Sequence, residues 1–131
     1  MEKFMDSIRY AARREGRMRR ILVVDDDPAL LQMLSWALEQ ADMLPTLASG
    51  GEGARLAFAG AGPFDAVLID RHLRREDGRQ LADDLVRRGQ PRVQVLLMSG
   101  LPDATSGYAL VPKPFRLHEL IETLKEACDG A

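Results

Sequence analysis

Cysteine, aromatic residues and long apolar runs are all scarce in this sequence of 131 residues. A single cysteine cannot form an internal disulfide, and the N-terminus lacks the apolar core of a secretory signal, so we expect a cytoplasmic protein. The apolar runs are only a few residues long, which excludes a membrane-spanning helix. The length leaves room for one domain of ordinary size.

Basic and acidic side chains are distributed unevenly along the chain. Residues 1–20 contain seven basic and three acidic side chains, whereas residues 21–131 contain 11 basic and 17 acidic ones. An acidic body disfavours a groove for nucleic acid. We therefore interpret residues 1–19 as a basic N-terminal extension and residues 20–131 as the domain itself.

Short apolar runs alternate with segments of helical periodicity from residue 20 onward. The pattern predicts strands at residues 21–24, 44–48, 66–69, 93–98 and 108–111. It predicts helices that begin at residue 28, at the segment 49–52 and after a polar loop over residues 70–78, and a last helix over residues 116–128. Pro45 indicates that the second strand lies at or near a sheet edge. The alternation predicts an α/β fold with a doubly wound parallel sheet.

Two helix starts carry local signals. Asp27 and Pro28 match the N-cap and first position of the first helix, so we interpret Asp27 as a cap and not as a metal ligand. Ser49 and Glu52 have the spacing of a capping box at the second helix. Both signals place a loop directly after a predicted strand.

Polar side chains follow the predicted strands at the edge where open α/β sheets bind ligands. They are Asp25, Asp26 and Asp27 after the first strand, Asp70 after the third, Ser99 after the fourth and Lys113 after the fifth. Carboxylates brought together repel each other, and a hard cation with oxygen ligands, such as Mg²⁺, relieves that repulsion. An aspartate can accept a phosphoryl group, while a lysine and a hydroxyl contact the phosphate oxygens. The pattern therefore predicts Mg²⁺-assisted phosphoryl transfer onto a carboxylate.

Four segments, in this order along the chain, resemble the receiver domains of bacterial two-component response regulators over about residues 20–128: ILVVDDDPAL, DAVLIDRHLRREDG, VLLMSG and VPKPF. The resemblance implies a flavodoxin-like, five-stranded parallel sheet of the receiver type. It also implies that Asp70 is the phosphoacceptor, that Ser99 is the switch hydroxyl and that Lys113 contacts the phosphate. The Lys113–Pro114 bond is a candidate cis peptide.

The same resemblance implies the metal ligands. Asp25 and Asp26 match the acidic pair that holds Mg²⁺ together with the phosphoacceptor Asp70. His72, two residues after the acceptor, corresponds to the residue whose backbone carbonyl contacts the metal.

The resemblance also implies partners. A histidine kinase or phosphotransfer protein donates the phosphoryl group, and a conformational switch then alters binding to a downstream protein that the sequence does not identify. We expect no nucleic-acid partner, no membrane span and no classical enzyme activity beyond assistance to the domain's own phosphorylation and dephosphorylation. A stand-alone protein and the receiver of a larger hybrid histidine kinase both fit.

Two other functions are compatible with parts of the pattern. A pseudo-receiver binds partners without phosphorylation, but the complete set of site residues argues against it. A haloacid dehalogenase-like phosphatase would use Asp25 and Asp27 as its nucleophile motif, but the chain has no room for the substrate-covering cap of that class.

The sequence departs from the receiver pattern between the fourth and fifth strands. Only residues 101–107 are available there, so we predict that the fourth helix is missing or very short. Any homodimer would then use a face other than the usual one built on that helix. Leu110 stands at the aromatic switch position, with Tyr108 two residues earlier, and Arg74 stands where the family often has proline.

Two surface features remain open. The apolar residues of the N-terminal extension have helical spacing, but a frayed tail fits as well; these residues are Met1, Phe4, Met5, Ile8 and Ala12. Trp36 lies opposite the apolar stripe of the first predicted helix, where it would contact the extension, a kinase helix or a second copy of the chain.

Overall fold

The computed structural model describes residues 18–89, 93–101 and 107–129. These residues contain five strands: β1 (Arg19–Val24), β2 (Met43–Ala48), β3 (Ala66–Asp70), β4 (Gln94–Ser99) and β5 (Ala109–Pro112). They also contain four helices: α1 (Pro28–Gln40), α2 (Gly51–Gly60), α3 (Gly78–Arg87) and α4 (Leu117–Asp129). Each predicted strand and helix is present, with ends shifted by one or two residues.

The five strands form one parallel sheet in the order β2-β1-β3-β4-β5. The edge position of β2 confirms the prediction from Pro45. The register pairs Val24 with Ile69 and Asp70 with Met98, so β1, β3 and β4 end at nearly the same level. The loops that follow these three strands therefore open onto one crevice.

A separate apolar cluster covers each face of the sheet. Alternate β1 residues, such as Ile21 and Leu22, belong to opposite clusters, which explains why the strand is an unbroken apolar run. The helices α1 and α4 cover one face through Leu34 and Leu124, whereas α2 and α3 cover the other. This arrangement confirms the doubly wound sheet.

The two predicted helix starts have different outcomes. The Asp27 carboxylate accepts hydrogen bonds from the backbone N–H groups of Ala29 and Leu30, which confirms its role as the α1 cap. At α2 the N-cap is Gly50, and no side chain caps the helix. The capping box predicted from Ser49 is therefore wrong, because α2 begins one residue later than that motif requires.

Some predictions concern residues outside the described ranges. The apolar stripe at the N-terminus and residues 102–106 of the β4–β5 connection are among them. Within that connection, none of the described residues, Gly100, Leu101, Gly107 and Tyr108, is helical. The reduced fourth helix stays a prediction. Among the helices that the structure describes, none has the length and apolar character needed to cross a membrane.

Candidate functional site

The carboxylates of Asp25, Asp26 and Asp70 come together at the carboxyl ends of β1 and β3. One oxygen from each lies within 4.8 Å of the other two. Asp25 is 1% exposed and Asp70 is 7% exposed, whereas Asp26 is half-buried. The structure thus places the three predicted metal ligands in one cluster, which we call the acidic side of the site.

Backbone amides of the following loops hold each of these carboxylates. Asp25 Oδ1 accepts the N–H of Asp27 at 2.8 Å, and Asp70 Oδ1 accepts the N–H of His72 at 3.1 Å. Asp26 Oδ2 accepts the N–H of Arg74 at 2.8 Å. Because amides at fixed backbone positions make these contacts, the loop conformation orients the carboxylates.

Lys113 places its ammonium group beside the two buried carboxylates. Its Nζ atom lies 3.1 Å from Asp25 Oδ2 and 3.5 Å from Asp70 Oδ1. Burial raises the pKa of Asp25 above its usual value, although the Asp27 amide and Lys113 act in the opposite direction. At Asp25 the effect of burial therefore outweighs that of Lys113, and a cation bound beside this carboxylate would stabilise its ionised form.

Ser99, at the end of β4, is 4% exposed, and its hydroxyl forms two hydrogen bonds with the backbone of a nearby residue. Its Oγ atom donates to the carbonyl of Leu101 at 3.0 Å and accepts the N–H of the same residue at 3.1 Å. The ring Nε2 of His72 lies 3.4 Å from Ser99 Oγ. His72 thus connects the end of β3 to the end of β4, since its own N–H binds Asp70.

Tyr108 lies just before β5 and is directed toward α3. Its hydroxyl donates to Asp83 Oδ1 at 2.5 Å. Burial, together with that carboxylate, raises the pKa of Tyr108 to about 12. The Tyr108 hydroxyl is therefore bound to α3 and not to Ser99. We call Ser99, Leu101, Tyr108 and β5 the switch side of the site.

Gly78 lies close to the backbone of Asp70, a contact that the sequence did not predict. A Cβ atom at this position would lie 2.1 Å from the backbone oxygen of Asp70. Asp77 caps α3 by accepting the N–H of Arg79, and it also pairs with Arg71. In the sequence the Asp77-Gly78 pair indicates only a turn, so the sequence contained no signal for a contact with β3.

Arg55 forms a second arrangement that the sequence did not predict. This α2 residue pairs with Glu76 of the β3–α3 loop at 2.8 Å and with Asp84 of α3 at 2.6 Å. Hydrogen bonds to both carboxylates raise the pKa of the guanidinium further. The network ties the loop after Asp70 to two helices, and no local pattern links residues so far apart in sequence.

Comparison with known proteins agrees with this geometry. Residues 21–125 match the sequence profile of the response regulator receiver domain. The chain belongs to this family. It has the flavodoxin-like fold of such receiver domains, and it is a domain of two-component signalling.

Three similar proteins illustrate the relationship. The transcriptional regulatory protein TcrA from Mycobacterium tuberculosis is 32% identical over 117 residues, which cover 81% of this chain and 44% of that protein. The response regulator TrrA from Thermotoga maritima, solved in complex with Mg²⁺-BeF, is 29% identical, with a TM-score of 0.74, covering 84% of this chain and 99% of that one. The receiver domain of the hybrid histidine kinase CckA is 27% identical, with a TM-score of 0.71, covering 83% and 98%.

The curated relatives are longer than this chain. The chain spans from 26% to 51% of the length of the regulators that it matches. The similarity therefore concerns their receiver portion.

Proposed function

We propose that this receiver domain accepts a phosphoryl group on Asp70 from a phosphohistidine donor in a Mg²⁺-dependent reaction. The observation that carries the proposal is the placement of Asp70 between two further carboxylates and Lys113. The three carboxylates offer oxygens within 4.8 Å of one another, and Lys113 Nζ lies 3.5 Å from Asp70 Oδ1.

The acidic side fits Mg²⁺ by the chemistry of its donors. Asp25, Asp26 and Asp70 offer oxygen ligands, and the backbone carbonyl of His72 is the proposed fourth protein ligand. Bound Mg²⁺ would neutralise carboxylate charge and orient phosphoryl oxygens. The Mg²⁺-BeF complex of the related TrrA supports this assignment.

In the proposed reaction an Asp70 carboxylate oxygen forms a bond to phosphorus as the bond from phosphorus to the donor's histidine nitrogen breaks. The donor imidazole carries a proton on its other ring nitrogen and therefore leaves as the neutral ring. Lys113 stabilises a phosphoryl oxygen by charge, and the Ser99 hydroxyl exchanges its Leu101 contacts for another phosphoryl oxygen. Movement of Ser99 would shift the β4–β5 connection and thereby alter affinity for a partner.

The proposed donor is a histidine kinase or phosphotransfer protein, and the phosphorylated form would bind a downstream protein. We place this function in the cytoplasm, in residues 20–131, with residues 1–19 as a basic extension. The domain would assist its own phosphorylation and dephosphorylation without acting on other substrates.

The test is to incubate the full chain with Mg²⁺ and a small phosphodonor and to measure an acid-stable, base-labile adduct. We expect the adduct in the wild type and in Asp27→Asn, because asparagine also caps helices well. We expect none in Asp70→Ala. No adduct in the wild type with either the small donor or a kinase would favour a pseudo-receiver. Turnover of a phosphomonoester that depends on Asp25 would favour a phosphatase.

A further inference from the structure

Arg74 places a second cation at the acidic side of the site. The residue lies in the β3–α3 loop, and its Nε atom is 3.7 Å from Asp26 Oδ2. The same oxygen accepts the backbone N–H of Arg74 at 2.8 Å. Arg74 therefore contacts Asp26 in two ways, one through the backbone and one through the guanidinium.

The two cations of the site serve different carboxylates. Lys113 pairs with Asp25 and Asp70, while Arg74 pairs with Asp26. Each of the three clustered carboxylates thus has a positively charged neighbour among the residues that the structure describes. A divalent cation that uses Asp26 as a ligand must share that carboxylate with the Arg74 guanidinium or replace it.

Of the two Arg74 groups that contact Asp26, the guanidinium is the one that can move away. The Arg74 side chain is 83% exposed, whereas the Asp26 side chain is 23% exposed. A groove of about 790 Å³, lined by Asp26, Arg74, Arg75 and the start of α2, lies beside the pair and gives the side chain room to move. The backbone N–H is fixed by the loop and keeps Asp26 oriented after the side chain has moved.

We propose that Arg74 is an internal counter-ion for Asp26, which a divalent cation displaces when it binds. This inference rests on the proposed Mg²⁺ site and adds a residue that sets its cation affinity. Exposed ion pairs are weak, so the competition changes the Mg²⁺ dissociation constant by about two- to fivefold at low salt. Salt at about 1 M screens exposed charges over a few ångströms and removes most of the difference.

Arg75 provides a matched control. It is adjacent to Arg74, is exposed, lines the same groove and forms no ion pair with the described part of the chain. Arg74→Gln and Arg75→Gln remove the same charge from neighbouring positions. Neither substitution removes a backbone group, so both variants keep the N–H at position 74 that binds Asp26.

The experiment is a calorimetric titration of the full chain with Mg²⁺ alone, at low and at high salt. We expect Arg74→Gln to bind Mg²⁺ about two- to fivefold more tightly than the wild type at low salt. Arg75→Gln and Arg74→Lys should stay close to the wild-type dissociation constant, and the difference should shrink at high salt.

Three results would overturn the inference. Equal or weaker Mg²⁺ binding by Arg74→Gln would show that the guanidinium does not compete. Equal tightening by both glutamine variants would indicate a general charge effect. An absence of Mg²⁺ binding by the wild type would overturn the proposed metal site as well, so failure of the proposed function is distinguished from failure of this inference alone.

Discussion

The acidic side and the switch side of the site are held by different kinds of contacts. Backbone amides orient the carboxylates of Asp25, Asp26 and Asp70, and Lys113 pairs with Asp25 and Asp70. The Ser99 hydroxyl is instead bound to Leu101, and the Tyr108 hydroxyl is bound to Asp83. Under the proposed function, the acidic side would thus be organised before phosphorylation, whereas the switch side would exchange existing hydrogen bonds in response to it.

Removal of Lys113 should have the largest effect, because this residue connects the two sides. It follows β5 in the chain, but its ammonium pairs with Asp25 and Asp70. Loss of a positioned group that stabilises developing charge reduces rates by about 10²- to 10³-fold. We expect Lys113→Ala to slow adduct formation by that factor, measured with a small phosphodonor under saturating Mg²⁺.

Lys125→Ala is the control for Lys113→Ala, since it removes a lysine whose described ion pair, with Glu122, lies on the surface of α4. Its rate should match the wild type. Similar losses in the two variants would show that net charge, and not the position of Lys113, governs phosphorylation.

A methyl group at Gly78 tests whether the acidic side depends on its backbone scaffold. The added Cβ would meet the Asp70 carbonyl oxygen at 2.1 Å, so Asp70 or the start of α3 must shift. Overpacking of this kind destabilises proteins by about 1–3 kcal/mol. We expect Gly78→Ala to lose that much free energy of unfolding in urea titrations and to be phosphorylated more slowly.

Gly53→Ala gives the matched comparison within α2, where the added Cβ has its nearest neighbour at 3.6 Å. A helical glycine replaced by alanine gains up to about 1 kcal/mol. If Gly78→Ala were as stable as Gly53→Ala, the close contact with Asp70 would carry no strain.

The smallest effect is expected at Tyr108, on the switch side. Its folded pKa of about 12 lies above the usual value of 10.0, with burial as the first cause and Asp83 as the second. The contribution to stability is therefore complete below about pH 10 and is lost as the pH rises through 12. We expect Tyr108→Phe to lose about 1 kcal/mol at pH 8, measured by chemical unfolding.

The pH dependence of the stability of Tyr108→Phe gives a second test of the difference between the acidic side and the switch side. The stability difference between the wild type and Tyr108→Phe should narrow from pH 10 to pH 12, while phosphorylation at pH 8 stays unchanged. A large loss of phosphorylation in Tyr108→Phe would mean that the acidic side depends on the hydrogen bond to Asp83.

Sequence reasoning recovered the strands and the clustered carboxylates because both follow from short-range rules. Unbroken apolar runs mark strands buried on both faces, and the ends of parallel strands meet at one edge of a sheet. Asp27 was recognised as a cap for the same reason, since its partners lie two and three residues away.

The features that sequence reasoning missed depend on contacts between distant segments. Arg55 meets Glu76 and Asp84 only after α2 and α3 have packed on the same face of the sheet. The Gly78 contact requires α3 to begin directly against the end of β3. The capping box predicted at Ser49 was wrong for a different reason. The spacing of Ser49 and Glu52 matches the motif, but α2 begins one residue later than the motif requires.

The prolines of the two edge strands have a consequence for assembly. Ala48 directs its carbonyl toward β1 and Lys113 directs its N–H toward β4, so by strand alternation Pro45 and Pro112 face outward from the sheet. Proline has no N–H to donate, so each outer edge lacks a donor at a position where a further strand would need one. Both edges of the sheet are thus poor templates for strand addition or fibril growth, and this protects a parallel sheet whose strands are otherwise strongly apolar.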